Sequence, residues 1–473
     1  MHYLTTKERR ALGQARRKQL ARQQHSEFKL KLRPAPASQL LARATQGRVP
    51  SLVKERNQLM SASPFAYFRG AAAVMAADLS VLPNTELAVQ ICGDAHVRNL
   101  GAFAGADGRL VFDINDFDET IRGPFEWDLK RMAASIVLAG RESGHKESSA
   151  RQAAEVCAAR YAAQMRELAE MPVLEAARYR VRRLAGAEPV QLALQKAERS
   201  TPIHTRELLT DTVATKPVRK DQGTREAVAL TEKSSAAERS SSAEKSAVRE
   251  KASAPTQRSF RRVPGRLEPV SGVQRAAVLA AYDRYKTRLD PAHRHLLSFY
   301  RPVDVAFKVV GTGSVGLRDY CIYLEGNDGD DPLFLQIKEQ TGSVWARWLA
   351  DAHPPAHNGQ RVVEGQRLMQ TQSDTFLGWT EIANRQFLVR LLNDHKGSIE
   401  LDDLAGDALD AYAEVCGELL AHGHARSGDA AELSGYLGSG SSFAEAIAAF
   451  AVLYADQTEK DWQELKRQLK PKR

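Results

Sequence analysis

The chain has 473 residues, of which 43% are apolar and 26% charged, with a formal net charge of +9. That length is enough for a sizeable core and two or three domains, and the composition is that of a soluble globular protein. No run of 18 apolar residues occurs, so no transmembrane helix is expected.

Residues 1–40 read as a basic segment, with Lys7, Arg9, Arg10, Arg16, Arg17 and Lys18 and no apolar stretch of the signal-peptide kind. Further positive charge sits in 215–262 and in the tail from Lys466 to Arg473. Basic segments can engage nucleic acid or anionic lipid. No zinc spacing, aromatic-rich RNA motif or helix-turn-helix pattern accompanies them, so nucleic acid is not expected as the primary partner. Cys92, Cys157, Cys321 and Cys416 are far apart and form no Cys-x-x-Cys pair. Reduced, structural thiols in a cytoplasmic protein are the expectation.

Residues 41–200 are predicted to form a helical lobe, with helices over 127–139 and 149–168. Within it a strand-like run, 87–92, delivers Gly93-Asp94, with His96 and then Asn99 close behind. A second strand, 110–112, opens onto Asp113, Asp116 and Asp118. Residues 201–262 are predicted to be a linker or disordered insert. Their Ser/Ala/Glu/Lys-rich stretch, 233–247, has no aromatics and too little apolar surface to offset chain entropy. A helical connection, 263–299, follows, with a helix over 273–289.

Residues 300–397 are predicted to form a small β-rich lobe. Strands at 305–310, 319–324 and 333–338 make an antiparallel meander, with a turn at 326–331. Gly311, Gly313, Ser314 and Gly316 join the first two strands, and Lys338 lies on the third, 22 residues after Gly316. A helix over 359–372 and strands at 376–382 and 386–392 follow. Residues 398–473 complete the helical lobe, with a helix over 404–422 and a Gly-Ser break at 438–442.

Two strand ends that carry carboxylates and a carboxamide are suited to holding Mg²⁺ against phosphate oxygens while one Asp steers a nucleophile. Asp94 is the candidate general base. Asn99 is a candidate metal ligand, and Asp113 and Asp116 compete for the main metal position. His96 would fix the loop or contact the transferred phosphate. Asp128 is expected to cap a helix and brace the loop. A Gly-x-Gly-x-x-Gly run between two strands, followed by a strand lysine, suits a phosphate cradle of backbone N–H groups. Lys338 would neutralise the phosphates as a point charge, and Glu364, on the next helix, would pair with it. Glu339 points to the opposite face of the strand. Arg69 and Arg131 are further candidates for neutralising phosphate or substrate.

Gly93-Asp94-Ala-His96-Val-Arg-Asn99 with the later aspartates resembles the catalytic and metal loops of the protein-kinase-like superfamily, especially its small-molecule branch. Asp116-Phe117 resembles the Asp-Phe-Gly register of protein kinases, with Asp118 in place of the glycine. Ser63 to Gly70, Gly123 to Arg131, Val363 to Met369 and Ala425 to Gly428 resemble segments of DUF2252, an uncharacterised bacterial family usually grouped with kinase-like folds. The resemblance covers most of the chain outside about 205–260. It implies an α+β, two-lobe kinase-like fold, ATP and Mg²⁺ as cofactors, and phosphotransfer to an acceptor that the sequence does not name, small molecules included. The catalytic motifs precede the Gly-rich loop, the reverse of an ordinary kinase, so a circular permutation is expected. Nucleotidyl transfer needs similar parts. Two alternatives stand beside this reading. One is a non-catalytic nucleotide-binding pseudokinase or scaffold. The other is a binuclear metallophosphoesterase drawing on Asp94, His96, Asp113, Asp116 and His424, which would leave Lys338 without a role.

Overall fold

The structure is a computed structural model that describes residues 4–179, 186–213, 257–309, 315–392 and 395–470. Among these the architecture is mixed α+β, with several separate sheets. The larger core is built on the helix Phe125–Glu142, which is buried without a break from Phe125 to Gly140. A helix buried on every face must be enclosed on all sides, and its buried charges Glu126, Asp128, Lys130 and Arg131 all lie in the first two turns. Glu147–Glu170, Ala408–Ser427 and Ser441–Leu469 pack around it or around one another.

Strands β1 (Ala88–Ile91), β2 (Leu100–Ala104), β3 (Leu110–Ile114) and β4 (Ile121–Pro124) sit on this helical body. β1 pairs with β4, and β2 with β3, both antiparallel. Asn99 and Asp116 therefore lie just outside the two ends of one hairpin.

Two further strands, β5 (Thr210–Val213) and β6 (Gln257–Phe260), pair antiparallel. Next come β7 (Leu267–Pro269), β8 (Arg301–Lys308), β9 (Asp319–Glu325), β10 (Pro332–Glu339), β11 (Gly378–Ile382) and β12 (Arg385–Leu391). These six form one sheet in the order β11-β12-β10-β9-β8-β7. The expected meander is its centre, in the register Lys338↔Asp319 and Lys338↔Leu388. One face packs on the helix Gly272–Arg288 through Tyr282, Tyr285, Ile322 and Leu335. The helix Asn358–Met369 packs against β11 and β12. A last short strand, β13 (Gly397–Ser398), returns the chain to β2.

The insert differs from its expected bounds. Thr201 caps a helix, Pro202–Leu209, and β5 and β6 hold both flanks in order. Phe260 supplies the anchor, buried against Tyr323 and Phe334. The Ser-rich stretch 233–247 lies outside the described residues.

The N-terminal cations are tied to the body. Thr5 and Glu8 form a capping box for the helix Thr6–Arg16, and Arg9 pairs with Asp429 at 3.0 Å. Arg33 bridges Asp78 at 2.7 Å and Asp461 at 2.9 Å. All four cysteines are buried and free. Among the described residues no single helix is long and apolar enough to cross a membrane. Ala430–Leu437 and Ser441–Leu469 reach that length and composition only together, across an 82° bend.

Candidate active site

The loop from Cys92 to Asn99 is held from three directions. Asp128, in the first turn of Phe125–Glu142, accepts the N–H of Cys92 at 2.7 Å and of Gly93 at 2.9 Å. Trp345 donates its indole N–H to the Gly93 carbonyl at 2.7 Å. The Tyr412 hydroxyl, on Ala408–Ser427, donates to Val97 O at 2.6 Å. Gly93 has φ +78°, and a Cβ there would lie 2.3 Å from the Glu119 carbonyl oxygen. Only glycine meets both demands. The loop position of Asp94 is therefore fixed by backbone bonds to buried, rigid groups.

Asp94 shares its Oδ1 with Arg131, whose Nε donates at 2.7 Å and whose Nη2 donates as well. Arg131 has 0% side-chain exposure and lies over the Phe68 ring, 4.3 Å from its centroid. Burial raises the Asp94 pKa, Arg131 opposes that rise, and Asp116 adds to it. His96 lies beside it, with Nε2 3.8 Å from Asp94 Oδ2. Burial, and then Arg69, Arg131 and Arg98, push the imidazole well below its ordinary range, so it is neutral at pH 7.

Asn99 donates its carboxamide N–H groups to the carbonyls of Asp94 at 2.9 Å and Asp116 at 3.0 Å. Two carbonyl acceptors leave only one orientation of the amide. Its Oδ1 is buried and has no hydrogen-bond partner among the described residues. An orphaned buried acceptor of this kind is costly unless a cation or donor meets it. The adjoining turn carries Asp116, whose Oδ1 accepts the Asp118 N–H at 3.2 Å.

Lys338 is 4% exposed and bonds Asp118 Oδ2 through its ammonium. Gln340 donates to the other carboxylate oxygen at 2.9 Å. Burial alone would raise the Asp118 pKa, but the charge and hydrogen bond of Lys338 bring it down. Burial likewise works against the ammonium, and Asp118 and then Asp116 raise Lys338 above its ordinary value. Arg361, on Asn358–Met369, braces this turn from behind. It donates to the carbonyls of Thr120 at 2.6 Å, Asp118 at 2.7 Å and Thr341 at 2.9 Å.

Asp94, Asp116 and Asp118 line one cleft of about 630 Å³ together with Leu317 and Gln340. Leu317 directly follows Gly316, so the end of the Gly-rich run reaches the aspartate cluster. Gly316 has φ +99°, and its carbonyl accepts the Val49 N–H at 2.8 Å. Gly311, Gly313 and Ser314 lie outside the described residues. A second cleft, about 430 Å³, is lined by Ala102, Phe103, Asn115, Arg390, Leu391 and Lys396, among others.

Two candidates sit elsewhere. Asp113 does not line the Asp94 cleft: its Oδ1 accepts the Ile114 N–H at 2.8 Å, and Arg426 is the cation that bears on it. Burial lifts its carboxyl to about 7. Glu364 is exposed and accepts from Gln360 at 2.7 Å, while Lys338 pairs with Asp118. Helical phase explains this, because Arg361, Val362 and Val363 take the buried face and turn Glu364 outward.

In the sequence Asp118 stands out only as an oddity, in a place where glycine is usual. Its signal was a third carboxylate with no role, while the strand lysine was assigned to Glu364. Arg361 had no signal beyond its place among buried valines.

Among the described residues no group of three or more His, Cys, Asp or Glu side chains is arranged to hold a metal ion. The donor set at the turn, a carboxamide oxygen and the Asp116 carboxylate, fits a hard cation whose other ligands are phosphate oxygens and water. His424, the distant histidine of the phosphoesterase alternative, is buried between Asp128 Oδ2 at 3.3 Å and the Tyr161 hydroxyl at 2.9 Å.

The chain matches the family described as "Uncharacterized protein conserved in bacteria (DUF2252)" over residues 48–236 and 204–468, and it belongs to that family. No curated protein and no solved structure matches it.

Proposed function

We propose that this DUF2252 member is an ATP- and Mg²⁺-dependent phosphotransferase with a circularly permuted, two-lobe kinase-like organisation. One observation carries the reading. Lys338, on the third strand of the meander, bonds an aspartate 220 residues earlier in the chain, in the turn that follows β3. A buried strand lysine held beside a carboxylate cluster suits a phosphate chain laid against both, with a cation on the carboxylates.

Asn99 Oδ1 and the Asp116 carboxylate are the residues that would hold magnesium, which when bound supplies neutralisation of donor phosphate charge. Lys338 contacts the donor phosphates as a point charge, and Asp118 holds that ammonium in place before they arrive. The cleft beside Phe103 and Leu391 takes the base of the nucleotide. Arg131 pins Oδ1 of Asp94, which leaves Oδ2 to accept a proton from the acceptor hydroxyl. The acceptor oxygen forms a bond to the γ-phosphorus, the bond from that phosphorus to the β–γ bridging oxygen breaks, and ADP departs. His96, held neutral, neither competes for that proton nor adds charge. The site works by positioning and electrostatics.

The test is nucleotide affinity by calorimetry with Mg²⁺, for wild type and for Lys338→Met. Wild type should bind ATP or GTP and Lys338→Met should bind more weakly, by about tenfold for a lost charge-assisted contact. Failure of wild type to bind either nucleotide at millimolar concentration ends the proposal.

A further inference from the structure

The deeply buried cations around the Asp94 cleft are matched with care. Arg131 has Asp94, Lys338 has Asp118, and Arg361 has three carbonyls, with only its Nε left unbonded among the described residues. Two arginines break that pattern. Arg56, on the helix Pro50–Met60, is 3% exposed, and one of its Nη atoms donates to Gly70 O. Its Nε and Nη1 are buried and have no hydrogen-bond partner among the described residues. Arg69, half-buried on Pro64–Gly70, makes no hydrogen bond among the described residues, and its Nε is buried. Both side chains line the Asp94 cleft, and neither has an ion pair among the described residues. A guanidinium buried without a counter-charge is expensive, and its cost falls only when an anion arrives.

We propose that Arg56 and Arg69 form an oxyanion site beside Asp94, which takes an acceptor that already carries a phosphate group. Placing the anion on the acceptor rests on the phosphotransfer reading; the anion site itself does not. Three considerations fix its chemistry. The unmatched atoms supply one N–H at each Nε and two at Arg56 Nη1, which suits the three terminal oxygens of a phosphate better than the two of a carboxylate. The charges that bear on Arg69 include Asp94 and Asp116, so it flanks the carboxylate that faces the acceptor, whereas Lys338 is engaged at Asp118. Burial, followed by the neighbouring Arg48, brings Arg56 down to about 10, which still leaves it cationic at neutral pH.

The experiment uses the full chain and inorganic phosphate as probe, with melting temperature and calorimetry as readouts. Phosphate is titrated into the protein alone and into protein saturated with Mg²⁺ and a non-hydrolysable ATP analogue. Binding under both conditions, weakened about tenfold or more by Arg56→Gln and by Arg69→Gln, is the expected result. The analogue's own affinity should move by less than about threefold in these variants. Arg56→Lys keeps a cation but loses the fork, and should bind phosphate with intermediate strength. Arg69→Gln, at a half-buried position, keeps the test open should Arg56→Gln fail to fold. Phosphate binding unchanged in Arg69→Gln and Arg56→Lys overturns the site. Complete block of phosphate by the analogue overturns the acceptor assignment and gives the arginines to the donor's terminal phosphate. Phosphate bound through both arginines, in a protein that binds no nucleotide, upholds the anion site while the phosphotransfer reading falls.

Discussion

In the Asp94 cleft, Asp94 and Asp118 are each tied to a buried cation from another element, Arg131 or Lys338. In the neighbouring cleft Arg390 is bonded to Gln336 at 2.8 Å and to the Asn115 carbonyl at 3.2 Å, but the Lys396 ammonium has no hydrogen bond or ion pair among the described residues. Paired charges hold a geometry, and that is what a step controlled by positioning requires. An unpaired amine holds nothing and is free to change its protonation. The two clefts, close enough for Lys338 to bear on Lys396, thus differ in kind: one is braced and one is adaptable.

The comparison breaks most visibly at Asp94. Alanine there would strand Arg131, a fully buried guanidinium, and confuse catalysis with unfolding. Asp94→Asn keeps an acceptor for Arg131 but removes the base. It should cut turnover about 10³-fold, within the span for a lost general base, while nucleotide affinity stays within about twofold. Steady-state rates beside calorimetry check both halves. Full turnover in Asp94→Asn would leave the braced cleft without its proposed chemistry.

The second break is the brace between the Asp118 turn and β10. Asp118→Asn leaves the Lys338 ammonium buried without its counter-charge, which should cost about 3 kcal/mol of stability in urea melts of the nucleotide-free protein. Asp118→Leu combined with Lys338→Met should recover most of that loss, because burying neither charge avoids the penalty. A single mutant as stable as wild type would show that the pair is not braced at all.

How far the sequence disclosed this site follows from the physics of each residue. The meander and the helices around it were legible, because period-2 and period-3.6 apolar patterns are local. That Asp94, Asn99, Asp116 and Asp118 would come together was legible, because each pair shares one short loop and the two loops join one hairpin, whereas Asp113 falls outside the cleft. Their partners were not. Nothing near Asp118 in the sequence points to Lys338, and nothing near Asp94 selects Arg131 from the other arginines. Long-range ion pairs leave no periodicity. Arg56 was invisible for the same reason: an arginine on a helix reads as solvated, and only its burial shows otherwise. The role of Glu364 failed on helical phase, which one buried arginine and two valines settled.

Asp113 sharpens the comparison, since it is a buried carboxylate that lines neither cleft. Its folded pKa of about 7 lies above the ordinary value of 3.8. Between these values the folded state binds more protons than the unfolded chain, so its contribution to stability is lost as pH rises from about 4 through about 7. Asp113→Asn should match wild type near pH 4 and exceed it by about 2 kcal/mol at pH 8. Urea melts at the two pH values measure this. A variant weaker at pH 8 would mean that the charged carboxylate is used, and would return Asp113 to the candidates for a metal.

Lys396 gives the smallest effect and the one most particular to the adaptable cleft. Burial first, and then Arg390, bring its ammonium down to about 7; Asp374 resists this, while Lys308 and Lys338 reinforce it. The folded pKa lies below the unfolded value of 10.5. In that window the unfolded chain binds the extra proton, so stability should rise as pH goes from about 7 to about 10. The side chain is half-buried, which screens the charge, so the rise should be about 1 kcal/mol and not the full value of the shift. Lys396→Met carries no proton, and its difference from wild type should shrink by that amount across the window. Measuring the difference cancels every other group that titrates there. Parallel profiles would show an ordinary, solvated lysine, and the two clefts would then differ in shape but not in charge.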